Sequence, residues 1–252
     1  MRHPVALVTG ATSGLGAATA RALAVRGYTV VGVDRDDPSA EPDRTGADGI
    51  VRVAADVTDE DQMAAAVRAA TERGSLRVVV CCAGISASGR ILGRRGPHPL
   101  ERFRAAVEVN LVGTFNTLRL AAEAMADNPL EGGERGAIVL TSSVTAYDGQ
   151  VGQIAYAASK AGVAGMALPA ARDLGQAKIR VVAIAPGTFE TPMLAGLTEQ
   201  AREALAAQIP HPSRPGAPEE FAALVCHIAE NQMLNGEVIR LDGALRMPYL
   251  PS

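Results

Sequence analysis

Short β-branched runs that are apolar on both faces recur along this chain, and each is followed by a longer Ala-rich stretch with helical spacing. The runs are 5–9 (VALVT), 29–34 (TVVGVD), 49–56 (GIVRVAAD), 77–83 (RVVVCCA), 137–142 (AIVLTS), 179–185 (IRVVAIA) and 237–241 (EVIRL). A strand that is apolar on both faces must be covered on both, as in a parallel sheet sandwiched by helices. Amphipathic stretches near 14–26, 59–73, 100–126, 153–174 and 218–230 supply that cover. Repetition of strand, helix and strand gives right-handed crossovers and a doubly wound α/β sheet. The expectation is one domain over residues 1–252, built on a seven-stranded parallel sheet flanked by helices. The polar stretch 34–49 reads as a surface loop, too short to divide the chain.

Composition excludes several functions. Hydrophobic residues make up 48% of the chain, enough for a large core, while net charge is −3, aromatics are 3% and tryptophan is absent. That balance argues against binding nucleic acid or an anionic membrane. Cys81, Cys82 and Cys226 are odd in number and two are adjacent, so no disulfide framework is expected. No spacing suits a metal either. The cysteines read as small packed residues in a reduced, cytoplasmic setting. The N-terminal MRHPVALVTGATSGLG is broken by Gly10, Gly14 and Gly16, unlike a signal peptide. No run approaches the ~18 apolar residues of a membrane span.

The stretch LVTGATSGLG places Gly10, Ser13, Gly14, Leu15 and Gly16 between the first strand and the first helix. Glycine lets the backbone turn tightly and approach a pyrophosphate, and the helix N-terminus offers free N–H groups. Asp34 ends the second strand, where a carboxylate hydrogen-bonds the adenosine ribose 2′-hydroxyl and repels a 2′-phosphate. These features point to a Rossmann-type domain binding NAD rather than NADP. Asp56, ending the third strand, is placed to reach the adenine edge.

Tyr156 and Lys160 lie four apart at the start of a helix, so they share a face. A nearby ammonium favours the phenolate and is expected to lower the tyrosine pKa toward neutrality. Ser143 ends the fifth strand, at the end of the sheet where ligands bind.

Taken together, Thr9-Gly10-x-x-x-Gly14-x-Gly16, Ala83-Gly84, Asn110, Ser143, Tyr156-x-x-x-Lys160 and Pro186-Gly187 resemble the short-chain dehydrogenase/reductase family over nearly the whole chain. Within it, NLVGTFNTLRL, GQVGQIAYAASKAGVAGMALPAARDL, IRVVAIAPGTFETPML and NGEVIRLDGALRM are most similar to the type-2 3-hydroxyacyl-CoA dehydrogenase branch, also known for hydroxysteroid oxidation. The resemblance implies that Tyr156 transfers the proton and that Lys160 also holds the nicotinamide ribose. It implies that Ser143 polarises the substrate oxygen and that Asn110 helps hold a water in a proton relay. Val57, Cys82, Ala83, Gly84, Pro186, Gly187, Thr188 and Phe189 would border the cofactor. It further implies a homotetramer. One departure stands out: Cys81-Cys82-Ala83-Gly84 replaces the family's Asn-Asn-Ala-Gly or Asn-Cys-Ala-Gly, which bears on strand-end geometry and not on hydride chemistry.

The implied activity is NAD-dependent interconversion of a short-chain, including 2-methyl-branched, 3-hydroxyacyl-CoA with its 3-ketoacyl-CoA. The alternatives are a secondary alcohol or hydroxysteroid dehydrogenase, an NADPH-dependent 3-ketoacyl reductase, and a non-catalytic cofactor-binding scaffold. The loop 86–104 carries Arg90, Arg94, Arg95, Arg102, Arg104 and His98, a basic cluster suited to coenzyme A phosphates.

Overall fold

The computed structural model describes residues 3–35, 49–94, 96–192 and 199–247. The elements are β1 (Pro4–Thr9), α1 (Gly14–Val25), β2 (Thr29–Asp34), β3 (Ile50–Ala54), α2 (Glu60–Thr71) and β4 (Ser75–Cys81). A small hairpin of β5 (Leu92–Gly93) and β6 (Gly96–Pro97) follows, then α3 (Leu100–Val107), α4 (Gly113–Ala126) and β7 (Gly136–Thr141). The chain continues through α5 (Ile154–Asp173), β8 (Ile179–Pro186), α6 (Glu199–Ala206), α7 (Pro218–Glu230) and β9 (Val238–Leu241).

Seven strands form one sheet in the order β3-β2-β1-β4-β7-β8-β9, and every pairing is parallel. The order reverses between β1 and β4, so the carboxyl ends of these two strands open a crevice. Strand alternation sends side chains to two cores. On one face Met63, Leu118, Met125, Val163 and Ala167 pack over Val79, Cys81 and Ile138. On the other, Leu23, Phe221, Val225 and Ile228 pack over Val8, Val80 and Val182.

The end of the sheet away from the crevice is locked by buried arginines. Arg180 pairs with Glu134 at 2.6 Å. Its guanidinium also donates to the carbonyls of Ile228 and Leu234 at 2.9 Å and of Ala229 at 3.1 Å. It thereby satisfies carbonyls that the C-terminus of α7 leaves open. Arg77 pairs with Glu131 at 2.6 Å and donates to Arg135 O at 3.0 Å.

Two features depart from the expected pattern. The helix expected over 100–126 is broken by a π-helical turn, Glu108–Val112. The break has a cause in the side chain of Asn110, which is tied to Ile85 and Ser159 instead of facing solvent. In addition, Gly113 sits against Val57, where a Cβ would approach Val57 Cγ2 to 2.5 Å. The hairpin β5–β6 is too short to carry a period, and neither it nor α6 was expected. Of the polar loop 34–49, residues 36–48 lie outside the described residues. No helix among the described residues is long and apolar enough to cross a membrane.

Candidate active site

The Gly-rich turn and the end of β4 hold each other. Thr9 Oγ1 accepts from the N–H groups of Cys82 and Ala83 at 3.1 and 3.2 Å. Gly10 has φ +68°, and a Cβ there would stand 2.9 Å from Ala83 N. A Cβ on Gly16 would collide with Gly10 O, so both glycines are required by close backbone approach. Ser13 is the N-cap of α1 but makes no side-chain capping bond. The first-turn N–H groups are therefore left for an anion. At the end of β2, Asp34 Oδ2 accepts from Thr12 Oγ1 at 2.5 Å and from Thr12 N at 3.2 Å. The carboxylate is thus fixed beside the same turn. A diphosphate held on the N-terminus of α1, with a ribose near Asp34, suits this donor and acceptor set.

Asp56 Oδ1 is occupied by Thr58 N and Oγ1 at 2.9 and 2.8 Å. Its own N–H donates to Gln62 Oε1 at 2.9 Å, leaving the Asp56 turn rigid. Val57 is buried and its carbonyl accepts from Asn116 Nδ2 at 2.9 Å.

The chemical centre lies on β7 and α5. Ser143 follows β7 and caps a short 3₁₀ turn, Val144–Ala146, with its hydroxyl accepting from Thr145 N at 3.2 Å. The Ser143 hydroxyl is close enough to Tyr156 to favour the ionised phenol. Lys160 is almost fully buried, and its Nζ donates to Thr141 O at 2.8 Å and lies 5.7 Å from the centre of the Tyr156 ring. Ser142 Oγ anchors the same helix by donating to Lys160 O at 2.8 Å.

Electrostatically, burial dominates. It lowers Lys160 to about 8. It also raises Tyr156 above the ordinary value of a tyrosine, with the neighbouring Ser143 hydroxyl pulling the other way. The expected lowering of Tyr156 by Lys160 is not the outcome of this geometry. Both groups are driven toward their neutral forms because charge is poorly solvated there.

Asn110 is fully buried. Its Oδ1 accepts from Ile85 N at 2.8 Å, and its Nδ2 donates to Ile85 O and Ser159 Oγ, each at 3.0 Å. Asn110 Oδ1 and Lys160 Nζ both lie over Gly84, at 3.1 and 3.5 Å from where a Cβ would stand. The π turn leaves Asn110 O to accept from Thr114 Oγ1 at 2.7 Å.

Beyond β8, Gly187 N donates to Leu241 O at 2.9 Å and Thr188 O accepts from Gly216 N at 2.9 Å. Pro186 is buried in β8. The Phe189 ring turns into the core, edge-on to Phe221 at 6.4 Å. Phe189 can therefore border a cofactor only with its backbone.

The adjacent cysteines point apart. Cys81 joins the core beneath α4 and α5, and Cys82 packs against the opposite one, with Sγ 3.5 Å from Thr141 Oγ1. Burial raises both thiols, Cys82 to about 11. Neither has the low pKa of a reactive cysteine. Cys81 takes an apolar site, so the strand end is held by Thr9.

Arg90 and Arg94 are exposed, as are Arg102 and Arg104 on α3, while Arg95 lies outside the described residues. The His98 ring covers Gly89. Gly89 N donates to Gly152 O at 2.7 Å, stitching the basic loop to the segment before α5. A cavity of about 360 Å³ lies between them, lined by Arg90, Ile91, Val151 and Ile154 among others. Sequence reasoning missed Thr12, Thr141, Ser142 and Ser159. A hydroxyl that bridges two segments leaves no local pattern.

A family model described as short chain dehydrogenase matches residues 4–202. The chain belongs to the short-chain dehydrogenase family. A 3-hydroxyacyl-CoA dehydrogenase type-2 from Bos taurus is 50% identical over 249 residues, spanning 96% of this chain and 95% of that protein. One of the same name from Drosophila melanogaster is 48% identical over 254 residues, 98% and 99% of the two chains. The crystal structure of a 3-hydroxyacyl-CoA dehydrogenase type-2 from Mycobacterium avium superposes with a TM-score of 0.91 at 44% identity, covering 98% of this chain and 97% of that one. As a short-chain dehydrogenase, the chain is an oxidoreductase that uses a nicotinamide cofactor, and the Gly10–Gly16 turn, Ser143, Tyr156 and Lys160 occupy one crevice of it.

Proposed function

We propose that this short-chain dehydrogenase interconverts short-chain 3-hydroxyacyl-CoA and 3-ketoacyl-CoA, using NAD. Near-full-length similarity, at about half identity, to relatives carrying that activity in their names carries the substrate class. The preference for NAD rests on Asp34, whose carboxylate Thr12 holds beside the cofactor turn. A 2′-phosphate there would meet a fixed negative charge.

When bound, the nicotinamide gives or takes the hydride. This chain's residues handle the proton and the oxygen. In oxidation Tyr156 accepts the hydroxyl proton of the substrate, and in reduction it returns one. Ser143 hydrogen-bonds the substrate oxygen and keeps it facing Tyr156. Lys160, titrating near 8, carries a charge that stabilises the tyrosinate as it forms. Asn110 fixes the Ile85 turn and the Ser159 turn of α5 beside Lys160, and the family resemblance assigns it the holding of a relay water. The cavity beside Arg90 falls in the ~300–1,000 Å³ range of small-molecule sites. Its apolar wall suits a pantetheine arm, with the Arg90 guanidinium beside it for a phosphate.

Exposed Val112, Phe115 and Leu168 on and beside α4 and α5 support assembly as a homotetramer. The three unpaired cysteines support a reducing, cytoplasmic location.

The deciding experiment follows NADH consumption with acetoacetyl-CoA. Turnover with NADH well above NADPH is expected. Turnover of a steroid or simple secondary alcohol, with none of the CoA ester, would replace the substrate reading, and an NADPH preference would replace the cofactor reading. Light scattering that gives a monomer would remove the tetramer.

A further inference from the structure

The turn 242–246 touches three other segments, two of which carry site residues, although none of its own residues enters the chemistry above. Its hub is the carboxylate of Asp242. Asp242 Oδ2 accepts from Arg240 Nε at 2.7 Å and from Arg246 Nη1 at 3.1 Å, and Oδ1 accepts from Ala244 N at 3.0 Å. Arg240 carries the connection outward. Its Nη2 donates to Asp148 Oδ2 at 2.5 Å and to Leu245 O at 2.9 Å, and its guanidinium lies 5.5 Å from the centre of the Tyr147 ring. The side chains of Asp242, Asp148 and Arg240 are 7%, 21% and 22% exposed, so these are not solvated surface pairs. A forked guanidinium bridging two half-buried carboxylates fixes geometry in a way a single exposed pair does not.

The same turn meets the opposite wall of the crevice. Gly187 N donates to Leu241 O at 2.9 Å, and a Cβ on Gly187 would stand 2.8 Å from Asp242 Cβ. It meets a third segment where Gly243 O accepts from His211 N at 3.5 Å. Ala244 has φ +67°, a left-handed conformation rare outside glycine. It persists because Asp242 holds its N–H and because Leu245 beside it is fully buried. Asp148 lies between Ser143 and Tyr156 in sequence. The Asp242 hub therefore joins the segment that carries Ser143 to the Pro186–Phe189 segment, which would border the nicotinamide when it is bound.

We infer that Arg240 is a positioning residue for the reaction: through Asp148 it sets the Ser143 segment against the Gly187 wall, and so fixes the substrate oxygen relative to the nicotinamide side. Misplacement of about 1 Å at a reacting centre can cost on the order of 10²-fold in rate. The inference rests on the dehydrogenase chemistry of the family and on the catalytic placement of Ser143, Tyr156 and the Gly187 wall. It does not depend on the acyl-CoA substrate.

The test compares Arg240→Met, Arg240→Lys, Asp148→Ala and Asp148→Glu with the wild-type enzyme, using whichever secondary alcohol or acyl-CoA the wild type turns over best. Three quantities are read: kcat per NADH-binding site, Kd for NADH from fluorescence, and Tm. Arg240→Met and Asp148→Ala should lower kcat tenfold or more with Kd for NADH changed less than threefold. Asp148→Glu should recover most of what Asp148→Ala loses. Arg240→Lys, which keeps the charge but not the fork, should fall between Arg240→Met and wild type. A lower Tm with unchanged kcat per site would overturn the inference, because the cluster would then serve the fold alone. Parallel loss of kcat and NADH affinity would overturn it too. Should Arg240→Met fail to fold, Asp148→Ala, which removes a single contact, decides by the same criteria. A wild type inactive on 3-hydroxyacyl-CoA but active on another alcohol would sink only the substrate reading and leave this test intact.

Discussion

The ammonium of Lys160 donates to the carbonyl oxygen of Thr141 at 2.8 Å, and this bond stands against nearly complete burial of the charge. A value near 8, against 10.5 for a free lysine, corresponds to about 3 kcal/mol of destabilisation while the group is charged. Losing the hydrogen bond costs ~1 kcal/mol. Lys160→Met should therefore abolish turnover and yet raise Tm at pH 7, by roughly 2–8 °C for ~1–2 kcal/mol in a chain of this size. Between about 8 and 10.5 the unfolded chain binds the extra proton, so wild-type stability climbs with pH and the advantage of the variant shrinks. Thermal melts across that range check both signs, and a less stable Lys160→Met at pH 7 would contradict the argument.

Tyr156 is the proton carrier between the substrate oxygen and the interior. Tyr156→Phe keeps the ring and the packing of α5. It should bind NADH nearly as the wild type does while losing at least ~10²-fold in rate. Wild-type turnover in that variant would remove Tyr156 from the chemistry.

Burial holds the Tyr156 hydroxyl in its protonated form through neutral pH. That form donates in reduction and must be deprotonated for oxidation. Ketone reduction should accordingly weaken, and alcohol oxidation strengthen, as pH rises from 6 to alkaline values. Rate profiles of kcat/KM in both directions measure this. Oxidation that is faster at pH 6 than at pH 9 would be inconsistent with it.

Asp34 and Thr12 act as one unit for cofactor choice. Asp34→Ala should weaken NADH binding and improve relative use of NADPH. Thr12→Val removes the hydroxyl bond to the carboxylate and keeps the one from the backbone N–H, and it should shift the ratio in the same direction by only a few-fold. Paired Kd measurements for both cofactors on both variants separate charge from positioning.

Arg90 and Arg94 test the handle of the substrate. Changing both to Glu should raise KM for acetoacetyl-CoA about tenfold, equivalent to ~1.4 kcal/mol. It should leave KM for a truncated acetoacetyl thioester nearly unchanged. Equal losses on both substrates would mean that the loop serves closure instead of phosphate contact.

Much of the sheet was legible because buried parallel strands announce themselves as runs apolar on both faces. VALVT, TVVGVD and AIVLTS lie within a residue or two of β1, β2 and β7. The Gly10–Gly16 turn, Asp34, Ser143, Tyr156 and Lys160 were legible because backbone approach and proton transfer demand particular residue types at fixed places along the fold. The π turn at Asn110 was not, since its cause is a side chain reaching Ile85 and Ser159 from a distant segment. Thr12 and Thr141 escaped for the same reason. The electrostatic state of Tyr156 also escaped, because it depends on how much water the folded crevice admits. The Cys81-Cys82 pair looked unusual in one dimension, and in three dimensions its members belong to different cores.

The contact between Asp148 and Arg240 spans 92 residues of sequence. During synthesis the Gly-rich turn, Ser143, Tyr156 and Lys160 all leave the ribosome well before the strand that steadies them. Folding from the N-terminus can therefore build most of the sheet early, but the bond from Arg240 to Asp148 forms only once β9 has emerged. A chain stalled before β9 would carry Ser143, Tyr156 and Lys160 yet lack the guanidinium that ties Asp148 to Asp242.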